Sequence, residues 1–229
     1  MDQELSLRER KKLKTRQLIA GTALELFARR GFEHVSVAEI ARAAEVSETT
    51  VFNYFPTKED LVYQGLEAFE GQLLQAVRGR RPGEGVLQAF GRFILQPGGL
   101  LAASDPDSAS ALRSASRTIA SSPALIAREQ QILARDANSL AAALAEETDA
   151  DPGDLTPHVV ANTLISVHRA LIDCVRRRAA ADPADPLRLA RALQAEGQKA
   201  LNLLAEGLAS YGVRQPAPLL EPQSPGGTT

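Results

Sequence analysis

The sequence predicts an all-α protein: an N-terminal three-helix helix-turn-helix unit followed by a larger helical body. Three observations carry this. Residues Val35 to Val62, VSVAEIARAAEVSETTVFNYFPTKEDLV, hold two short helix patterns joined by a tight turn and then a third helix start. Beyond Leu61, apolar residues recur at three-and-four spacing, and no stretch alternates as a strand would. The interruptions fall where Pro and Gly cluster, at Arg80-Arg81-Pro82-Gly83, Pro97-Gly98-Gly99 and Asp151-Pro152-Gly153.

The first helix is expected over Thr15 to Arg30. Ser36 is placed as an N-cap with Glu39 three residues on, the spacing of a capping box, so a second helix begins there and runs through Ile40 to Ala44. Glu45 and Val46 make the connection. Ser47 can cap a third helix carrying Thr49 to Phe55, which Pro56 stops. On it Val51 and Phe55 sit four apart and can pack inward against Ile40 and Val37. Glu48, Thr49, Phe52 and Asn53 are left on other faces, free to meet a DNA groove. Thr57-Lys58-Glu59-Asp60 repeats the capping-box spacing, and a long helix is expected from Lys58 to about Arg78.

These residues carry a resemblance. The helix ending in Arg30-Gly31-Phe32, the run Ser36-Val37-Ala38-Glu39-Ile40-Ala41, Val46-Ser47, Thr50-Val51-Phe52-Asn53-Tyr54-Phe55 and Pro56-Thr57-Lys58-Glu59-Asp60-Leu61 resemble the DNA-binding domain of the tetracycline-repressor (TetR) family of bacterial transcription regulators. The resemblance covers roughly the first quarter of the chain. One position departs from it: the family usually has Gly in the turn where this chain has Glu45, so the expectation is a slightly different turn rather than a positive φ at Glu45.

By position in the motif, Ser36, Tyr54 and Lys58 are the expected phosphate contacts, and Thr49, Thr50, Phe52 and Asn53 the expected base readers. Glu48 could accept from a cytosine amino group or simply favour the helix N-terminus electrostatically. Ahead of the first helix, Arg8, Arg10, Lys11, Lys12, Lys14 and Arg16 against the single acid Glu9 form a basic arm suited to phosphate contact.

In the body, helices are expected over residues 86–94, around Ala109 to Ala120, from Pro123 to about 149, from Pro157 to Arg178 and from Pro186 to Tyr211. On the penultimate helix Val160, Leu164, Ile165, Val167, His168, Leu171, Ile172 and Val175 cover about half the circumference. On the last, Leu189, Leu193, Gly197, Ala200, Leu204, Leu208 and Tyr211 form a stripe. The resemblance implies that these two surfaces meet their copies in a homodimer; an ordinary intrachain core is the alternative. It also implies a small-molecule pocket in the body. Phe90, Phe93, Leu112, Ile126, Leu164 and Ile172 could line it, His168 could meet the effector, and Arg113 with Arg117 could clamp an anionic group. Each residue has an equally ordinary structural alternative.

Composition bounds the rest. The chain has 229 residues, 44% of them hydrophobic, enough for a sizeable core, and a formal net charge of -2. Cys174 is the single cysteine, so no intramolecular disulfide forms. No apolar run approaches the ~20 residues of a membrane span. The three histidines, His34, His158 and His168, lack a His or Cys at metal-site spacing, and no phosphate loop or nucleophile elbow occurs. The expectation is therefore a cytoplasmic, non-enzymatic regulator without cofactor or metal. Its partners would be double-stranded operator DNA, a second copy of itself and a small lipophilic or acyl-thioester-like effector, with no membrane. An enzyme of unknown type and a helical protein-binding adaptor are the alternatives. The expected division is 1–62 for DNA binding with its basic arm, 63–212 for sensing and dimerisation, and 213–229 as a disordered Pro- and Gly-rich tail.

Overall fold

The computed structural model describes residues 6–63, 66–96, 106–181 and 186–207, and among these every regular element is helical. The elements are α1 (Leu7–Arg30), α2 (Val37–Ala43), α3 (Glu48–Tyr54), α4 (Glu67–Arg78), α5 (Val86–Ile94), α6 (Pro106–Ala120), α7 (Pro123–Thr148), α8 (Thr156–Ala181) and α9 (Pro186–Glu206). Short 3-10 turns, Phe32–His34 and Glu59–Leu61, join the first of them. The expected break at Pro97-Gly98-Gly99, the end of the last stripe at Leu208 and Tyr211, and the tail 213–229 lie outside the described residues.

Local sequence explains most boundaries. Ser6 caps α1 in a full capping box with Glu9. The basic arm is thus not a free segment ahead of the first helix: its residues from Arg8 onward form the opening turns of α1. Ser122 caps α7, with Pro123 at the first helical position, where its missing N–H costs nothing. Asp149 closes α7 in the left-handed conformation, φ +49°, so that its N–H reaches the Ala145 carbonyl.

The expected helix from Lys58 to Arg78 is broken. Residues 59–61 form one 3-10 turn, and α4 starts at Glu67, after i→i+3 bonds from Leu66 N–H to Tyr63 O (2.9 Å) and Phe69 N–H to Leu66 O (3.2 Å). Tertiary bonds fix this segment. Asp60 and Tyr63 are both held by α7, as described below, and that geometry does not continue a regular helix.

Two buried clusters organise the molecule. The first joins Ile19, Ala23 and Phe27 of α1, Ile40 of α2 and Val51 of α3 to Phe55, Leu61 and Tyr63, and it continues into Leu125 and Ile132 of α7. The second lies wholly in the body, where Leu73 and Val77 of α4, Phe90 of α5, Leu133 and Leu140 of α7, Leu164 of α8 and Leu201 of α9 meet. Helices α7 and α8 run antiparallel: Glu129 is bonded to Arg176, while farther along Ala137 shares a groove with Asn162. The stripe on α9 packs within the chain, since a Cβ on Gly197 would stand 2.4 Å from Leu95 Cδ2 and 3.5 Å from Leu171 Cδ1. Gly197 therefore serves close approach inside one protomer.

Candidate nucleic-acid interface

The helix-turn-helix is built from three cap motifs. Ser36 accepts from Glu39 N–H at 3.2 Å, and the Glu39 carboxylate accepts from Ser36 N–H at 2.9 Å. Arg30 adds a 2.6 Å bond to the same carboxylate while donating to the His34 carbonyl at 2.8 Å, so the end of α1 is docked on the start of α2. The Ser36 N–H, Arg30 and the Ser36 hydroxyl together hold the Glu39 pKa down to about 2. Ser47 accepts from Thr50 N–H at 3.0 Å and opens α3. Beyond α3, Thr57 and Asp60 form the last box, with bonds of 3.0 and 3.3 Å.

The turn corrects one expectation. Glu45 takes φ +54°, the left-handed conformation that Gly would occupy freely. Val46 N–H reaches Ala41 O at 2.9 Å and Glu45 N–H reaches Arg42 O at 3.2 Å, the paired bonds of a Schellman ending. The orphan carbonyls at the end of α2 are thereby satisfied, and an exposed glutamate bears the local strain. The turn keeps its geometry despite the residue change.

On α3, Val51 is buried and packs with Phe55 and Ile40, and Val37 is partly buried beside them. Glu48, Thr49, Phe52 and Asn53 are exposed, so the outward face is the expected one. Phe52 is 47% exposed, an apolar ring on the outward face of α3. Thr50 is half-buried, and its hydroxyl lies 2.8 Å from that of Ser47, which commits it partly to the cap. Ser36 is exposed beside the start of α2, and Tyr54 is half-buried at the end of α3. The Lys58 ammonium rests over the Phe32 ring at 4.1 Å, close enough for a cation–π contact. The exposed cations Arg8, Arg10, Lys11, Lys12 and Lys14 continue along α1.

Several residues that orient this unit carry no local sequence signal. Arg16 donates to the Tyr54 carbonyl at 2.8 Å and sits 4.4 Å over the Phe55 ring, tying α1 to the end of α3. A cation there also suits the negative end of the helix dipole. Asp60, 2% exposed, accepts from Arg128 of α7 at 2.9 Å (Nε) and 2.7 Å (Nη2) while closing its cap. Tyr63 donates its hydroxyl hydrogen to Leu125 O at 2.8 Å, and Ser122 donates to Glu33 at 2.6 Å. Residues 122, 125 and 128 thus form a clasp in which the first turns of α7 grip the helix-turn-helix unit at Glu33, Asp60 and Tyr63.

The sequence profile described as "Bacterial regulatory proteins, tetR family" matches residues 19–64, the span from the middle of α1 through the clasp. The helix-turn-helix unit of this chain is thus similar to that family's DNA-binding domain. The HTH-type transcriptional regulator TcmR of Streptomyces glaucescens is 40% identical to this chain over 84 residues, 37% of each protein. The HTH-type transcriptional regulator LuxR of Vibrio harveyi is 58% identical over 50 residues, 22% of this chain and 24% of that one. The matches therefore span well under half the length of these curated relatives. Among solved structures, native NalD of Pseudomonas aeruginosa, described as the secondary repressor of the MexAB-OprM multidrug efflux pump, aligns with a TM-score of 0.52 and 23% identity. It covers 82% of this chain and 96% of its own, a likeness in fold.

The body places the residues expected to meet an effector unevenly. Phe90 and Leu164 are buried, and Phe93 and Ile172 pack partly buried against the same cluster. His168 is buried and stacked on Phe69, ring centroids 4.0 Å apart. Ile126 and Arg117 are exposed, while their neighbours Leu125, Ser116 and Thr118 turn inward; Arg113 is half-buried. Cys174 is half-buried and free. Among the described residues no helix is long and apolar enough to cross a membrane, and no three metal-ligating side chains gather.

Proposed function

We propose that this protein is a DNA-binding transcriptional regulator, a repressor released from a palindromic operator when the body takes up a small lipophilic effector. The observation that carries this is the outward face of α3. Glu48, Thr49, Phe52 and Asn53 are exposed together on a helix whose other face is locked into the core, with cations of α1 and Lys58 nearby. Phosphate contacts fall to Ser36, Tyr54, Lys58 and the cationic turns of α1; base contacts fall to Thr49, Thr50, Phe52 and Asn53. Glu48 serves the N-terminus of α3.

Two half-sites call for two readers, so the protein acts as a homodimer in the cytoplasm, where its operator is. Most apolar residues of α8 and α9 are used inside the chain. The pairing surface is therefore the outward side of these helices, which carries Val159, Asn162 and Ser166 on α8 and Gln194, Ala195 and Gln198 on α9. The effector acts through the clasp as well as through α4, since the start of α7 touches both Asp60 and Tyr63. A tenfold loss of DNA affinity on effector binding needs about 1.4 kcal/mol of coupling.

Selection of bound sequences from a random double-stranded DNA pool tests the proposal. The expected product is an inverted repeat bound by a dimer, as sedimentation of the complex would show. Enrichment of no sequence would overturn the DNA-reading assignment.

A further inference from the structure

Among the described residues, the buried side-chain polar atoms without a hydrogen-bond partner are both carboxylate oxygens of Asp136 and Nδ1 of His168, all in the body. Asp136 is 1% exposed on α7, in the same turns as Leu133 and Leu140 of the body cluster. Its nearest cation, Arg135, stands 3.6 Å away and gives its Nε to Glu70 instead, at 3.0 Å. His168, 7% exposed on α8, stacks on Phe69 of α4, and Phe69 in turn meets Phe93 of α5 with centroids 5.3 Å apart. Glu70 follows Phe69 on α4, so the unmet groups of α7 and α8 both border the first turn of that helix.

A buried carboxylate without a hydrogen-bond donor is costly and calls for a partner. With its proton on Nε2, His168 also lacks a donor at Nδ1. Both unmet groups are acceptors, and the rings beside them offer π faces to positive charge. We propose that Asp136 and His168, with Phe69 and Phe93, form a recognition site for a lipophilic ammonium ion: the –NH3+ head donates to Asp136 and His168, and the alkyl or aryl body displaces packing in the apolar cluster. This rests on the effector-responsive reading above and gives that effector a chemical class, a cationic amine rather than an acyl thioester. Arg117, one of the two arginines expected to clamp an anion, is exposed.

The test is calorimetric titration of the full chain with decylamine, decanol and decanoate below their aggregation concentrations. Decylamine is expected to bind at least about tenfold tighter than decanol, with decanoate weakest, because a charge-assisted hydrogen bond to a buried carboxylate separates them. In Asp136→Asn the amine preference should disappear, and the unliganded melting temperature should not fall, since an unpaired charge has been removed. Equal affinity for amine and alcohol, no binding of any of the three, an unchanged preference in Asp136→Asn, or a marked loss of its unliganded stability would each overturn the site. A parallel titration of decylamine into the complex with selected DNA separates the two claims. Amine preference with unchanged DNA affinity supports the site and overturns its role as the effector site; DNA binding by a protein indifferent to amines does the reverse.

Discussion

The helix-turn-helix unit and the body solve the problem of buried polar groups in opposite ways. In the former, Asp60 is 2% exposed, yet it holds Thr57 N–H and Arg128 at hydrogen-bond distance. In the latter, Asp136 is 1% exposed without a hydrogen-bond partner, and Arg135 stands 3.6 Å from it. On the proposed function, a surface that presents Phe52 and Asn53 to a groove at fixed spacing gains from a finished scaffold, because every cap and clasp bond resists tilting of α3. A sensor gains from the reverse, since free energy left unrealised in the free protein becomes available on binding.

The contrast breaks most directly at the two carboxylates. Arg128→Ala strips Asp60 of its cation and should destabilise the fold by about 2–3 kcal/mol, read as a lower urea midpoint with an unchanged slope. DNA affinity should fall with it, because the clasp also fixes the start of α7 against the reader. Asp136→Asn should move stability the other way, by about +1 kcal/mol at neutral pH. Loss of stability in both variants would show that Asp136 has a structural role and would remove the contrast. A smaller effect belongs to the cap: Ser47→Ala should cost about 1 kcal/mol, confined to the helix-turn-helix in hydrogen exchange.

Acid sharpens the comparison within the body. Burial pushes the His168 pKa from 6.5 down to about 4, so as pH falls the unfolded chain takes up that proton first and stability drops between about pH 6.5 and 4. Burial pushes Asp136 from 3.8 up to about 6, against the opposing pull of Arg135 and aided by Glu70. There the folded state takes the proton first, so stability rises as pH falls through 6 towards 3.8. The two slopes oppose each other across nearly the same window. In His168→Phe, stability should therefore increase on acidification from pH 6 to about 4.5, and in Asp136→Asn it should decrease, as urea titrations at several pH values would show. Matching slopes in the two variants would contradict this assignment.

The caps were legible because they are local: Ser36 with Glu39, Ser47 with Thr50 and Thr57 with Asp60 are three residues apart, and an i,i+3 pattern survives in one dimension. The inward placement of Val51 and Phe55 was legible for the same reason. The clasp and the Arg16–Tyr54 tie were not, since Arg16–Tyr54, Tyr63–Leu125, Asp60–Arg128 and Glu33–Ser122 join residues 38, 62, 68 and 89 apart, and nothing in single charges or hydroxyls announces such partners. The break ahead of α4 was missed on the same account, being imposed by those distant bonds. Glu45 was expected to alter the turn because its Cβ crowds the backbone at positive φ; the Schellman bonds outweigh that modest cost. The wide apolar arcs of α8 and α9 were visible, but periodicity cannot say whether an arc meets its own chain or a copy.

The central claim is that α3 reads DNA bases while Lys58 and the turns around it hold phosphates. The measurement that tests it most directly is anisotropy titration of a selected DNA and a scrambled one, each at several salt concentrations, with wild type, Asn53→Ala and Lys58→Ala. Asn53→Ala is expected to lose about 1–3 kcal/mol on the selected sequence and almost nothing on the scrambled one. Lys58→Ala is expected to weaken both alike and to flatten the salt slope by about one unit. Equal losses on both sequences for Asn53→Ala, with no change in salt slope for Lys58→Ala, would contradict the assignment of this face to DNA.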